Sequence, residues 1–317
     1  MQKGIQIDQH GGPEVLHYRD LQVPTPKEGE VLVRVRAAGL NFIDTYHRTG
    51  YYPLPALPSG LGVEGAGVVD GTDRRVAFAV PSIGTYQQYR VVPEEQLVDL
   101  PEDISFEAAA AMMLKGMTAR YLLRQTYPVK AGDTILVHAA AGGVGLVLCQ
   151  WASYLGATVI GTVGSREKAD LATAHGCHHP IYYRKENVVS RVQEITAGAG
   201  VDVVYDSVGR DTFEKSMQCL HPRGLMVTFG QSSGAVEAFD PVMLSRHGSL
   251  FLTRPTLFHY VAEREELVEN ATELFGVVRG GHVKIPVRQQ FPVQDAAEAH
   301  RALESRATTG STVLIVD

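Results

Sequence analysis

The stretch Ile135-Leu136-Val137-His138-Ala139-Ala140-Ala141-Gly142-Gly143-Val144-Gly145 decides the fold. An apolar run gives way to alanines and glycines, and Leu146 through Leu155 then continues without a helix breaker. That order reads as a buried strand, a tight turn and a helix. Ala140, Gly142 and Gly145 occupy the three positions of G-x-G-x-x-G, with alanine at the first. Small residues are required there so that backbone N–H groups can approach a pyrophosphate seated on the positive end of the following helix. The turn is therefore expected to bind a dinucleotide through Ala141, Gly142, Gly143, Val144 and Gly145.

The surrounding chain repeats the alternation. Strands are expected at residues 134–139, 158–163, 180–183, 201–206, 225–229 and 250–253, with helices at 146–155, 168–175 and 188–196. This spacing predicts an α/β, doubly wound parallel sheet. The chain before it is β-rich. Val31-Leu32-Val33-Arg34-Val35-Arg36 alternates apolar and charged residues, and residues 62–69 and 75–78 form further short strands between glycine and aspartate corners. Residues 105–123 read as helical, residues 263–275 as a charged helix, and residues 312–316 as a last strand with too little local company to form a sheet. That strand is expected to return to the first domain. The expected organisation is thus 1–118, the first part of a β-rich domain; 119–256, the nucleotide domain; and 257–317, a return to the first.

Composition excludes several classes. The 317 residues suit two domains, and 44% hydrophobic with 20% charged residues is ordinary for a globular chain. A net charge of −6 gives no basic face for nucleic acid in the totals. Residues 1–8 lack a long apolar run, no stretch approaches the ~18 apolar residues of a membrane span, and the three cysteines lie far apart. A cytoplasmic protein is expected.

The second strand selects the nucleotide. NAD sites place an acid ~20 residues beyond the glycine turn. Here the chain runs Gly161-Thr162-Val163-Gly164-Ser165-Arg166, with no acid until Glu167, and offers Ser165, Arg166 and Lys168 instead. Cations and hydroxyls suit a 2′-phosphate, so NADPH is the expected cofactor.

With these residues in view, the chain resembles the medium-chain dehydrogenase/reductase superfamily, and within it the quinone oxidoreductase (zeta-crystallin) branch. The resemblance rests on residues 38–44 (Ala-Gly-Leu-Asn-Phe-Ile-Asp), 62–67 (Gly-Val-Glu-Gly-Ala-Gly), 114–119 (Leu-Lys-Gly-Met-Thr-Ala), the glycine turn, 206–209 (Asp-Ser-Val-Gly) and 303–308 (Leu-Glu-Ser-Arg-Ala-Thr). It implies a GroES-like catalytic domain beside a Rossmann-type one. Zinc members of the superfamily carry cysteine where this chain has Asn41 and histidine where it has Val63. Glu64 remains, but one carboxylate does not make a three-ligand catalytic site. Without that Lewis acid the expected acceptor is already electrophilic, a quinone or an activated enone.

By the same resemblance, Asn41 and Asp44 lie near nicotinamide and substrate, and Tyr46 and Tyr52 close over the acceptor. Thr118 contacts the cofactor. Lys168, Tyr183 and Arg306 hold the 2′-phosphate, and Phe229, Gly230 and Ser232 line the groove after the fifth strand. The cofactor is expected in the cleft between the domains. A homodimer is expected, joined through Leu250–Thr253, since an uncovered apolar edge strand otherwise invites aggregation.

Rival readings stay open. An enone or enoyl-thioester reductase would use Tyr52 as a proton donor. A nucleic-acid-binding or structural role, known among crystallin-like members, is a different class. Tyr46, Tyr51 and Tyr52 also read as packed aromatics, Asp206 as a turn cap, and Met112, Met113 and Met117 as helix packing. His175-Gly176-Cys177-His178-His179 falls in a loop where this fold carries no metal.

Overall fold

The computed structural model describes residues 1–317, and the chain divides into two units. The first comprises Met1–Met117, Tyr260–Glu273 and Ile285–Asp317; the second comprises Thr118–His259 and Leu274–Lys284.

In the first unit β1 (Gln2–Gln6) and β2 (His17–Leu21) form an antiparallel pair. The alternating stretch becomes β3 (Glu30–Leu40), whose Val33, Val35 and Ala37 are buried while Arg34 and Arg36 face out. Helix α1 (Phe42–Thr49) follows at once, and β4 (Glu64–Val69), β5 (Arg75–Ala79), β6 (Tyr89–Pro93) and β7 (Val98–Asp99) complete the early strands. The expected helical stretch is one α-helix, α2 (Phe106–Tyr121), prolonged by a π-helical turn at Leu122–Thr126.

The second unit holds β8 (Thr134–Val137), α3 (Gly143–Tyr154), β9 (Thr158–Val163), α4 (Arg166–Thr173), β10 (His179–Tyr182), α5 (Val188–Ile195), β11 (Val201–Asp206), α6 (Phe213–Cys219), β12 (Leu220–Thr228) and β13 (Phe251–Thr253). All its strand pairs are parallel, in the order β10-β9-β8-β11-β12-β13. This is the 3-2-1-4-5-6 order of the Rossmann fold, and it reverses between β8 and β11, where such sheets hold dinucleotides. Leu136, Ile160, Val204 and Met226 sit in its apolar core with Ile181, Phe213 and Met217.

Two boundaries move. β8 stops at Val137 because Ala139 takes a positive φ of 53°, which turns the chain out of the ladder. β12 starts at Leu220, with a register irregularity opposite Val201/Val203. The helix α6 and the strand β14 (Val287–Pro292) were not anticipated.

β14 and β15 (Ser311–Ile315) return to the first unit, whose sheet runs β14-β15-β3-β4-β5-β7, with β6 on the other part of β3. The tail, however, is divided. Residues 274–284 group with the second unit, although the expectation placed all of 257–317 with the first. Gln150 on α3 explains this: its amide donates to the Lys284 carbonyl at 3.0 Å and accepts the Lys284 N–H at 2.8 Å. His282 also stacks on Tyr154 at 3.8 Å between ring centroids. No helix is long and apolar enough to cross a membrane.

Candidate active site

The loops at the carboxyl ends of the parallel strands carry the first group of residues. Gly142 caps α3 in extended geometry, and Leu146 N–H already bonds to its carbonyl, so the amides of Gly143, Val144 and Gly145 lead the helix. A side chain at Gly145 would collide with the Ala139 carbonyl, and Ala140 is wholly buried beneath. The turn has room for backbone alone, which fits a pyrophosphate.

Below the turn runs a buried chain of polar groups missed by the sequence reading. His138 lies between Thr162 Oγ1, at 3.0 Å from Nδ1, and Ser216 Oγ, at 2.9 Å from Nε2. Ser216 in turn reaches Asp206 Oδ2 at 2.9 Å. The direction is consistent throughout: Thr162 donates to Nδ1, Nε2–H donates to Ser216, and Ser216 donates to the carboxylate. Burial lowers the imidazole pKa and keeps it neutral. Asp206 also accepts the N–H groups of Val208 and Gly209 at 2.7 and 3.0 Å, so it closes the turn after β11. That turn is tied to the next: Phe229 N–H bonds to Asp206, and Ser232 N–H to Ser207. Gly230 packs on Ser207 with no space for a side chain. Phe229, Gly230 and Ser232 are half-buried here.

At the end of β9, Ser165 caps α4 and accepts the Lys168 N–H at 3.3 Å. Tyr183 follows β10 directly, and its phenol lies against Gly164. Ser165, Lys168 and Tyr183 are thus drawn to one corner of the sheet edge. Thr118 is buried in α2, while Arg306 belongs to the other unit, just past the helix Ala296–Glu304, at a φ of 59°.

The first unit supplies a second constellation. Asn41 follows β3 directly and caps α1. Its amide donates to Glu64 Oε2 at 2.8 Å and towards the Gly39 carbonyl at 3.4 Å. Lys115 Nζ stands 3.2 Å from the same oxygen, and Leu114 N–H donates to Glu64 Oε1 at 2.7 Å. Glu64 is fully buried and Lys115 nearly so. The sequence signal for Lys115 was a lone cation in the apolar run Ala108–Met117. Tyr46 and Tyr52 meet edge to face at 5.2 Å, and Tyr51 joins them while remaining exposed. The three form a surface cluster rather than a core.

Asp44 accepts the Asn41 N–H at 2.9 Å and the Tyr86 hydroxyl at 2.7 Å, both on Oδ2, while the buried Oδ1 has no partner. Burial pushes its pKa up to about 7, against the opposing pull of the Tyr86 and Asn41 bonds. A carboxyl raised in this way stabilises the fold while protonated. Its contribution is full below the unfolded value and is lost as pH rises to about 7. Wild type should therefore lose about 2–3 kcal/mol relative to Asp44→Asn between about pH 5 and 8. Urea melts of both proteins at the two pH values check this, and a constant difference would refute it.

No group of three or more His, Cys, Asp or Glu side chains is placed to hold a metal. In the histidine-rich loop, His175 bonds to the Leu171 carbonyl, His178 accepts the Val159 N–H, and Cys177 is buried.

Comparison with known proteins adds the following. Residues 27–102 match the alcohol dehydrogenase GroES-like domain, and residues 143–275 match the zinc-binding dehydrogenase family. A quinone oxidoreductase of Pseudomonas aeruginosa is 54% identical, across 99% of this chain and 100% of the relative. A 2-haloacrylate reductase of a Burkholderia species is 45% identical, across 98% of this chain and 97% of the relative. The crystal structure of Escherichia coli quinone oxidoreductase complexed with NADPH aligns at a TM-score of 0.97 with 49% identity, covering 99% of each chain.

Proposed function

The chain belongs to the quinone oxidoreductase family of the medium-chain dehydrogenase/reductase superfamily, and from that premise we propose that it oxidises NADPH with a quinone as acceptor and without zinc. The observation that carries the reading is the cluster at Glu64. Asn41 and Val63 replace the cysteine and histidine of zinc members, and Glu64 is already paired with Lys115. That donor set does not suit zinc. An acceptor reduced here must be electrophilic by itself.

NADPH supplies the hydride when bound. The residues of the chain bind, orient and shield. Ala141 through Gly145 present backbone amides to the pyrophosphate. Ser165, Lys168 and Tyr183 recognise the 2′-phosphate, and Thr118, Phe229, Gly230 and Ser232 flank the rest of the nucleotide. Asn41 orients nicotinamide or acceptor, Asp44 fixes the backbone of Asn41, and Tyr46 with Tyr52 offers ring faces to a planar acceptor. Catalysis is then chiefly proximity and orientation.

The test is titration with NADPH and NADH, followed by stopped-flow oxidation of the bound NADPH by quinones and by enones. Tight, NADPH-selective binding with rapid oxidation by quinones is expected. Tyr52→Phe should leave quinone turnover within about threefold, because water protonates the reduced quinone. Oxidation by enones alone, abolished in Tyr52→Phe, would replace the quinone reading. The likeness to a 2-haloacrylate reductase, named for an alkene conjugated to a carboxylate, favours that second reading.

A homodimer completes the proposal. β13 is an edge strand with Phe251 63% exposed, and a second copy of the strand would cover it. Light scattering at micromolar concentration should give twice the chain mass, and a monomer would contradict it.

A further inference from the structure

We infer that Lys115 is a positioning residue for Asn41, acting through Glu64. The inference rests on the reading that Asn41 serves the cofactor or acceptor.

An amide side chain can turn over and exchange its oxygen for its nitrogen, and only its neighbours choose between the two states. Both hydrogens of the Asn41 amide point at oxygens: Glu64 Oε2 at 2.8 Å and, more weakly, the Gly39 carbonyl at 3.4 Å. Its own oxygen is thereby turned the other way, towards the Asp44 backbone N–H at the start of α1, in the capping box that the two residues form. The reverse state would set Asn41 Oδ1 against a carboxylate oxygen. A charged Glu64 therefore fixes the amide, because a carboxylate only accepts.

Glu64 is wholly buried, and a carboxylate at that depth needs a counter-charge and full hydrogen bonding to be held in one place. Without them it would turn to other donors, and the choice of amide state would be lost. Lys115 prevents this. Its ammonium lies 3.2 Å from Oε2, the oxygen that also holds Asn41. Two other buried cations lie nearby, but Arg90 acts on Asp44 and bonds to the Gly62 carbonyl, and Arg48 acts on the Tyr86 hydroxyl and bonds to Glu304; Lys115 is the cation that bonds to Glu64. The backbone has made room for the pair: a side chain at Gly39 would overlap the Glu64 carboxylate and the Ala110 carbonyl. Lys115 thus stands as the resident cation beside the residue that replaces a metal ligand of zinc members, and its work is to keep an amide facing one way.

A double-mutant cycle tests this. Wild type, Asn41→Ala, Lys115→Met and the double variant are compared for NADPH affinity by fluorescence and for single-turnover oxidation of NADPH by a quinone. Lys115→Met should slow the single turnover roughly 10- to 100-fold, with NADPH affinity within about threefold of wild type. In the Asn41→Ala background the same substitution should cost less than about threefold, since its effect passes through a side chain already removed. Should Lys115→Met fail to fold, Lys115→Gln, which keeps a donor without the charge, completes the cycle. Equal losses in both backgrounds would make Lys115 merely structural and overturn the assignment, as would a Lys115 variant as fast as wild type. A wild type that no quinone oxidises would instead overturn the functional reading, and this assignment with it.

Discussion

Replacing Lys168 by alanine should weaken NADPH binding roughly 10- to 100-fold, with NADH binding changed by no more than about twofold. The figure is one charge-assisted hydrogen bond, about 1.5–3 kcal/mol, to a phosphate that NADH lacks. The location is what makes the effect selective. β9 ends in Val163-Gly164-Ser165 with no acid to take a ribose hydroxyl, and Ser165 places Lys168 in the first turn of α4. The Tyr183 phenol closes the same corner against Gly164. Fluorescence titration of both nucleotides measures the ratio directly. Equal weakening of both would mean that Lys168 supports the helix rather than the phosphate.

The largest stability effect is expected at Glu304. Arg48 on α1 is 1% exposed, and both its terminal nitrogens bond to the Glu304 carboxylate, at 2.9 and 2.7 Å. Its Nε donates to the Gly11 carbonyl at 3.1 Å, and Nη1 donates to His300 Nδ1 at 3.0 Å. His300 stays neutral there, its pKa pressed down to about 3 by burial and by the guanidinium. Glu304→Ala leaves the guanidinium buried without a counter-charge, a loss of about 3–5 kcal/mol for such pairs. The carboxylate is partly exposed, so water repays some of this and the lower end, about 3 kcal/mol, is expected. At about 2–4 °C per kcal/mol, thermal unfolding should begin some 6–12 °C earlier, roughly. A shift under about 2 °C would show the pair to be screened like a surface bridge.

Legibility in the sequence followed range along the chain. The parallel strands of the second unit were readable because all but β10 are short apolar runs between glycine, proline or aspartate signals, and the glycine turn because its chemistry is local. β14 was not readable: Val-Arg-Gln-Gln-Phe-Pro is a half-exposed edge with two glutamines at its centre. Neither was α6, since its seven residues are too few to display a period. The polar pairs failed for a different reason. Lys115 and Glu64 lie 51 positions apart, and Arg48 and Glu304 lie 256 apart. One end of each pair looks odd in its own segment, but no local pattern names the partner. Asn41 was legible as a candidate site residue; the Glu64 carboxylate that its amide meets, and the Lys115 ammonium beside it, were not.

The place of β15 has a consequence for the order of synthesis. It pairs antiparallel to β3, Leu314 beside Ala38, and parallel to β14. β3 leaves the ribosome early, yet the edge that β15 covers stays bare until the final strand has been made. The strands of the second unit run from Thr134 to Thr253 without interruption, so their sheet is complete in sequence well before that. Translation halted before Ser311 would thus release a chain with its whole nucleotide-side sheet and, on the first unit, an open strand edge of the kind that recruits other chains.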